Sequence, residues 1–93
     1  FEERKNFLVK ELNKIKNVEC VDPGGAFYVF PKITKNGLSS KQISNDLLEK
    51  KFLATVPGSS FGELGEGFIR ISYANKIFNL KKSVQLIREY LDE

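Results

Sequence analysis

The chain has 93 residues, of which 41% are hydrophobic and 29% charged, and its eight phenylalanines and three tyrosines exclude a disordered chain. No stretch approaches the roughly 20 apolar residues of a membrane span, and a net charge of +3 lies far below that of a tight nucleic-acid binder. With no histidine and a single cysteine, the sequence excludes His-based triads, the usual zinc sites and an intrachain disulfide. We therefore expect a globular domain whose partners include neither a membrane nor a nucleic acid. Because it has no methionine and opens in helical character, we also expect it to be part of a longer chain.

The first third of the chain predicts one helix and two strands. Apolar residues recur at helical spacing over 1–16, with charged residues between them. Residues 18–22 alternate apolar and polar side chains, as a short strand does, and a Pro-Gly-Gly turn follows them at 23–25. The continuous apolar run 26–30 predicts a strand that is buried on both faces and ends at Pro31.

The middle of the chain predicts a loop, a capped helix and a third strand. Residues 32–38 are mostly polar and predict a loop. Ser39 and Gln42 stand three residues apart, which is the spacing of a capping box, and the helix that they begin runs to about Lys51. Residues 52–56 predict the third strand.

The last part of the chain predicts a fourth strand, residues 68–74, and a final helix. Four apolar residues recur at helical spacing to the end of the chain: Leu80, Val84, Ile87 and Leu91. We expect an α+β fold of two layers, with a mixed or antiparallel sheet of about four short strands packed by about three helices.

Arg70 is the residue that most suggests chemistry. A period of two places it on the face of the fourth strand opposite to the apolar Ile69 and Ile71. A guanidinium in the middle of a strand is costly to bury unless it meets a carboxylate or a phosphate. From spacing alone the alternatives stay open: Arg70 forms an ion pair with Glu63 or Glu66, faces solvent, or binds an external anion.

Four other features favour structural interpretations. The glycine-dense segment 59–67 lacks the spacing of a phosphate-binding loop and is typical of a sharp turn between strands. Lys41 falls in the first turn of a helix, where a solvated face is favoured over a Schiff-base lysine. The aromatic cluster at 27–30 favours core packing over the stacking of nucleic-acid bases. Cys20 is interpreted as a small buried apolar residue.

Four segments, taken in order, resemble one family: 25–31, 47–49, 56–62 and 65–74. They are similar to the C-terminal part of the class I/II, fold-type I pyridoxal-phosphate aminotransferases, in the branch that contains the bacterial-type aspartate aminotransferases. The resemblance covers nearly the whole chain. It implies that residues 1–93 are the small C-terminal domain of a longer enzyme, whose large domain is absent here.

The resemblance also implies which residues act. Arg70 matches the arginine that binds the substrate α-carboxylate in a bidentate pair, and Phe27 matches an aromatic residue that approaches the substrate pocket. The turn at 57–62 would shape the edge of that pocket. The Schiff-base lysine and the other groups that bind pyridoxal 5'-phosphate would lie in the large domain. We therefore expect no catalytic and no cofactor-binding residue in this chain, which alone should be inactive and should not bind the cofactor tightly.

For the full-length enzyme, the resemblance implies transfer of an amino group between an amino acid and a 2-oxo acid. L-Aspartate with 2-oxoglutarate is the leading pair, and alanine or aromatic amino acids are the nearest alternatives. A homodimer is implied by the family, and a cytoplasmic location by the family and the lone cysteine. Two rival hypotheses remain: a stand-alone α+β module that binds a small anionic ligand through Arg70, and a nucleic-acid binder that uses aromatic and lysine side chains.

Overall fold

Three helices and five short strands form in the part of the chain that the structure, a computed structural model, describes: residues 2–22, 28–73 and 79–93. The elements are α1 (Glu2–Leu12), β1 (Val18–Glu19), β2 (Tyr28–Val29), β3 (Lys32–Ile33), α2 (Ser40–Lys51), β4 (Val56–Pro57), β5 (Ile69–Ser72) and α3 (Leu80–Leu91), with short 3-10 helices at Gly58–Phe61 and Glu63–Gly65. The expected turn at 23–25, the candidate residue Phe27 and the end of the fourth strand at Ala74 lie outside the described residues.

Helix α2 begins as the sequence predicts and ends abruptly. The Ser39 hydroxyl accepts a hydrogen bond from the Gln42 N–H at 3.2 Å, and the Gln42 side chain accepts one from the Ser39 N–H at 2.8 Å. This reciprocal pair confirms the capping box. At the other end Phe52 adopts the left-handed conformation, with φ of 58°, and its N–H bonds the Leu48 carbonyl. The prediction of a strand beginning at residue 52 is therefore wrong, because Phe52 terminates the helix and β4 begins only at Val56.

The other two helices pack their apolar sides into the core. In α3, which Asn79 caps through the Lys82 N–H, Val84 and Ile87 are buried as the predicted stripe requires. Helix α1 ends at Leu12, four residues before the predicted end at residue 16. The Asn13 side chain bonds both the N–H and the carbonyl of Cys20, at 2.8 and 2.7 Å, so the chain turns here toward β1.

Five antiparallel strands form two small sheets among the described residues. One sheet pairs β1 with β3, and the other has the order β2-β5-β4. The sequence predicts a loop at Lys32 and Ile33, but these two residues form β3. Pro31 does not end the hydrogen bonding of this segment with residues 67–69. The Pro31 carbonyl accepts the Ile69 N–H, and the Ile33 N–H bonds the Gly67 carbonyl. The prediction of a loop is wrong because β3 depends on pairing with residues that are distant in sequence, and a local sequence pattern does not reveal such pairing.

Two more strand predictions need correction. The segment 26–30 was expected to be buried on both faces, but β2 buries Val29 and exposes 39% of Tyr28. Strand β1 covers only Val18–Glu19 of the predicted 18–22. In β5 the predicted alternation is confirmed, because Ile69 and Ile71 are fully buried while Arg70 lies half-buried on the opposite face.

One hydrophobic cluster joins the helices to the sheets. Its members come from α1, α2, α3 and four of the strands, and the largest fully buried side chains include Tyr73 and Tyr90. This arrangement is an α+β fold, as expected. Within the described residues, no helix is both long and apolar enough to cross a membrane.

Candidate functional site

Arg70 lies between two aromatic rings on the solvent-facing side of the β2-β5-β4 sheet. The carbon at the centre of its guanidinium is 5.1 Å from the centre of the Phe61 ring and 5.4 Å from that of the Tyr28 ring. Both distances lie within the range of a cation–π interaction. The sheet register explains the second contact: Tyr28 stands opposite Ser72, two residues along β5 and on the same face as Arg70.

A third aromatic ring, that of Phe30, lies beside the rings of Phe61 and Tyr28. Phe30 contacts Phe61 edge to face, with centres 6.0 Å apart, and stacks on Phe68 at 5.1 Å. Tyr28, Phe30, Phe61 and Arg70 together line an open depression of about 200 Å³, which we call the Arg70 depression. The interpretation of the 27–30 cluster as core packing is therefore wrong for Tyr28 and Phe30, because both side chains line this depression.

The guanidinium has no carboxylate partner among the described residues, 2–22, 28–73 and 79–93. The Glu66 carboxylate, one of the two partners considered, instead accepts hydrogen bonds from the N–H groups of Ser40, at 3.0 Å, and Gly67, at 2.7 Å. Bonds from Ser40 and Gly67 hold the pKa of Glu66 below its ordinary value. The other candidate, Glu63, is exposed and forms no ion pair in this part of the chain. Neither of the two partners considered therefore pairs with Arg70 among these residues.

The loop that carries Phe61 owes its shape to glycines. A Cβ on Gly58 would lie 2.0 Å from the Gly65 carbonyl oxygen, and one on Gly65 would lie 2.1 Å from that of Gly58. The two backbones therefore touch, and Gly62 between them has φ of +114°, which side chains rarely allow. The Gly58 N–H also bonds the Phe68 carbonyl at 2.7 Å. These contacts agree with the interpretation of the glycines as turn residues.

Two of the remaining candidates, Lys41 and Cys20, take no part in this site. Lys41 is exposed on the first turn of α2, as the solvated-face interpretation expects. Cys20 is buried, as expected, and burial raises the pKa of its thiol to about 11. Phe27, expected near the pocket, lies outside the described residues, whereas Tyr28 was overlooked as a site residue. The signal that could have found Tyr28 was the alternation of 28–30, since it puts Tyr28 and Phe30 on the face opposite to Val29.

The four side chains that line the Arg70 depression do not by themselves form a pyridoxal-phosphate site. The Arg70 depression is lined by three aromatic rings and one guanidinium, so it offers neither a lysine amine for a Schiff base nor a carboxylate for a pyridine nitrogen. In the part of the chain that the structure describes, no cluster of three or more acidic or cysteine side chains could hold a metal ion. The chemistry that this arrangement supports is the binding of a planar anion against an aromatic wall.

Comparison with known proteins identifies the family of this chain. The family model of the class I and II aminotransferases matches residues 1–82. Over 91 residues the chain is 44% identical to a putative aminotransferase, YugH, from Bacillus subtilis, covering 98% of this chain and 23% of that protein. It is 40% identical to an aspartate aminotransferase of Pyrococcus horikoshii, covering 99% of this chain and 24% of the relative. An aromatic-amino-acid aminotransferase of Thermococcus litoralis is 41% identical over 100% of this chain and 24% of its own length.

Solved structures of aminotransferases are also similar to this chain. The aromatic aminotransferase of Pyrococcus horikoshii superposes with a TM-score of 0.88 at 40% identity, covering 98% of this chain and 24% of that one. The aspartate aminotransferase of Thermotoga maritima superposes with a TM-score of 0.84, also at 40% identity, covering 99% and 23%. The chain thus spans about a quarter of the length of the relatives it matches. Its sequence and its fold together show that it belongs to the class I and II aminotransferase family.

Proposed function

We propose that this chain is the part of a pyridoxal-phosphate aminotransferase that binds the carboxylate of the amino-acid substrate, through Arg70. The observation that carries the proposal is the half-buried guanidinium at the Arg70 depression, held between the Phe61 and Tyr28 rings and without a carboxylate partner among the described residues. Because the rings contact the guanidinium, its N–H edge is the part left for a ligand. A carboxylate fits that edge with two parallel hydrogen bonds, which lysine cannot reproduce.

In this role Arg70 contributes positioning. A substrate that is held at its α-carboxylate keeps its amino group and its Cα–H bond in one orientation, and such orientation is a large part of enzymatic rate enhancement. The cofactor supplies the carbanion chemistry of this family when it is bound. Because the Arg70 depression lacks the groups to hold it, we propose that its lysine and its other ligands belong to a large domain elsewhere in the full-length enzyme.

It follows that residues 1–93 act as the small C-terminal domain and that the chain alone is inactive. This proposal is supported by the coverage of the relatives, about a quarter of their length, and by the absence of a lysine from the lining of the Arg70 depression. We further propose a homodimeric, cytoplasmic full-length enzyme, on the basis of the family resemblance and of the buried, unpaired Cys20.

For the substrates we propose L-aspartate and 2-oxoglutarate as the leading pair, with alanine or aromatic amino acids as the alternatives. The relatives named for aspartate and for aromatic amino acids are 40% and 41% identical, so they support the amino-acid class equally. The three rings that line the Arg70 depression would also accept an aromatic side chain. Initial rates of the full-length enzyme with aspartate, alanine and phenylalanine, each at saturating 2-oxoglutarate, would rank the three.

The test of the arginine assignment is Arg70→Lys in the full-length enzyme. We expect a higher KM for the amino acid and a lower kcat, with a combined loss of about 2–5 kcal/mol, typical of breaking a desolvated charge pair. Arg88→Lys, which makes the same change at an exposed position of α3, is the matched control and should retain wild-type kinetics. Equal kinetics for the two variants would refute the assignment.

A second measurement separates this proposal from the stand-alone binding module. Calorimetric titration of the isolated 93-residue chain with dicarboxylates and with pyridoxal 5'-phosphate should give no detectable heat of binding. Saturable binding of a carboxylate that is lost in Arg70→Lys would favour the independent module instead.

A further inference from the structure

We propose that Glu66 is a positioning residue for the carboxylate site, because it fastens the loop 58–67 to helix α2 and thereby holds Phe61 against Arg70. The inference rests on the proposed function of Arg70. Glu66 itself is bonded to backbone N–H groups and does not line the Arg70 depression, so its effect on substrate must pass through the loop.

The first step is the contact between Glu66 and α2. One carboxylate oxygen accepts the Ser40 N–H at 3.0 Å and the Gly67 N–H at 2.7 Å, and the other oxygen is 3.3 Å from the Ser40 nitrogen. Ser40 is the first residue of α2, where an N–H has no acceptor within the helix. A negative charge is favourable at this end of a helix, so the anionic form of Glu66 makes the stronger attachment.

The second step is that the same serine holds the other end of the loop. Ser40 is completely buried, and its hydroxyl oxygen accepts the Ser59 N–H at 3.4 Å. Ser40 is thus hydrogen-bonded to the loop near its start, at Ser59, and near its end, at Glu66. Beside these two points, the backbones of Gly58 and Gly65 also touch, so the two ends of the loop lie together.

The third step leads from the loop to Arg70. Phe61 lies in this closed loop, and 53% of its surface is exposed, so relatively few side chains fix its position. The ring contacts that are present join it to Phe30, at 6.0 Å, and to Arg70, at 5.1 Å. If the loop moves away from α2, Phe61 moves with it and the guanidinium loses one of its two flanking rings. The N–H edge of Arg70 is then less restricted when the substrate carboxylate arrives.

The experiment compares Glu66→Gln with Glu63→Gln in the full-length enzyme. Both variants remove one negative charge from the same loop, but Glu63 is exposed and its carboxylate bonds no described residue. We expect Glu66→Gln to raise KM for the amino acid about 10-fold with a smaller change in kcat, which is less than the roughly 100-fold cost of a 1 Å misplacement. Faster amide hydrogen exchange in the peptide covering 58–68 should accompany it. Glu63→Gln should match the wild type in both measurements.

A double-mutant cycle with Phe61→Leu tests the path of the effect. If Glu66 acts through Phe61, Glu66→Gln should change KM by less than about 2-fold once the ring has been removed. An undiminished 10-fold effect in the Phe61→Leu background would overturn the inference, and so would equal KM values for Glu66→Gln and Glu63→Gln. Arg70→Lys, measured in parallel, separates a failure of the proposed function of Arg70 from a failure of the role of Glu66. Wild-type kinetics in that variant would refute the proposed function, whereas an impaired Arg70→Lys beside an unaffected Glu66→Gln would refute only the role of Glu66.

Discussion

Alanine at Gly65 should open the loop that carries Phe61, because the new methyl group has no room. It would lie 2.1 Å from the carbonyl oxygen of Gly58, and a Cβ atom essentially never comes closer than 3.0 Å to such an atom. The obstacle is backbone, so it cannot rotate away as the end of a flexible side chain could. The φ of Gly65 lies outside the left-handed region, so the cost is steric and not conformational.

The magnitude follows from two losses. Forcing an extra methyl group into a packed site costs typically about 1–3 kcal/mol, and the upper end applies here because backbone meets backbone. Moving Gly58 also strains the 2.7 Å hydrogen bond between its N–H and the Phe68 carbonyl, which adds about 1 kcal/mol. We expect the loop to lose about 4 kcal/mol of local stability, which corresponds to opening that is faster on the order of 1000-fold.

Amide hydrogen exchange of the full-length enzyme, read by mass spectrometry on the peptide covering 58–68, measures this opening directly. Gly37→Ala is the control, since Gly37 has φ of +73° and no atom within 4 Å of the added Cβ. Its cost of about 1–2 kcal/mol is conformational and belongs to a different loop. Exchange in 58–68 that is no faster in Gly65→Ala than in Gly37→Ala would refute the steric argument.

Three smaller predictions concern stability and reactivity. Tyr90→Phe removes the O–H that donates to the Asp46 carboxylate at 2.6 Å, and urea denaturation should show a loss of about 1.5 kcal/mol; a loss below about 0.5 kcal/mol would contradict this. With the pKa of Cys20 raised to about 11, on the order of 0.1% of the thiol is ionised at pH 8, so the native protein should resist iodoacetamide and the denatured protein should not. Because the pKa of Glu66 is lowered in the folded state, its stabilisation is present above the ordinary value of 4.5 and is lost as the pH falls through the lowered pKa. Thermal unfolding from about pH 6 to pH 3 should therefore depend less on pH in Glu66→Gln than in the wild type.

Elements with purely local causes were predictable from the sequence. The start of α2 depends on two side chains three residues apart, Ser39 and Gln42, which bond each other's backbone. The apolar stripe of α3 and the alternation of β5 depend only on the periods of helix and strand. Arg70 stood out for the same reason, as a cation in an otherwise apolar strand, and the family resemblance suggested its partner.

Elements that depend on pairing were not predictable in this way. β3 exists because Lys32 and Ile33 meet β1 and residue 67, which are distant in sequence, and Phe52 ends α2 although its side chain is typical of a strand. The polar composition of 32–38 gave no sign of such a partner. Strand pairing overrode the local preference at the first place. At the second, the side chain of Phe52 is 89% exposed, and the residue ends α2 through a local hydrogen bond from its N–H to the Leu48 carbonyl.

By itself, therefore, the sequence determined the class of fold, the helices with clear caps and stripes, and the arginine on which the proposed function rests. Only the tertiary structure decided what surrounds that arginine. It placed Tyr28 and Phe61, which are 42 and 9 residues away along the chain, on either side of the guanidinium, and it bonded Glu66 to Ser40 and not to Arg70. The physical reason is that a carboxylate binds whichever donors the folded backbone brings to it, and sequence spacing does not reveal which of the available donors that will be.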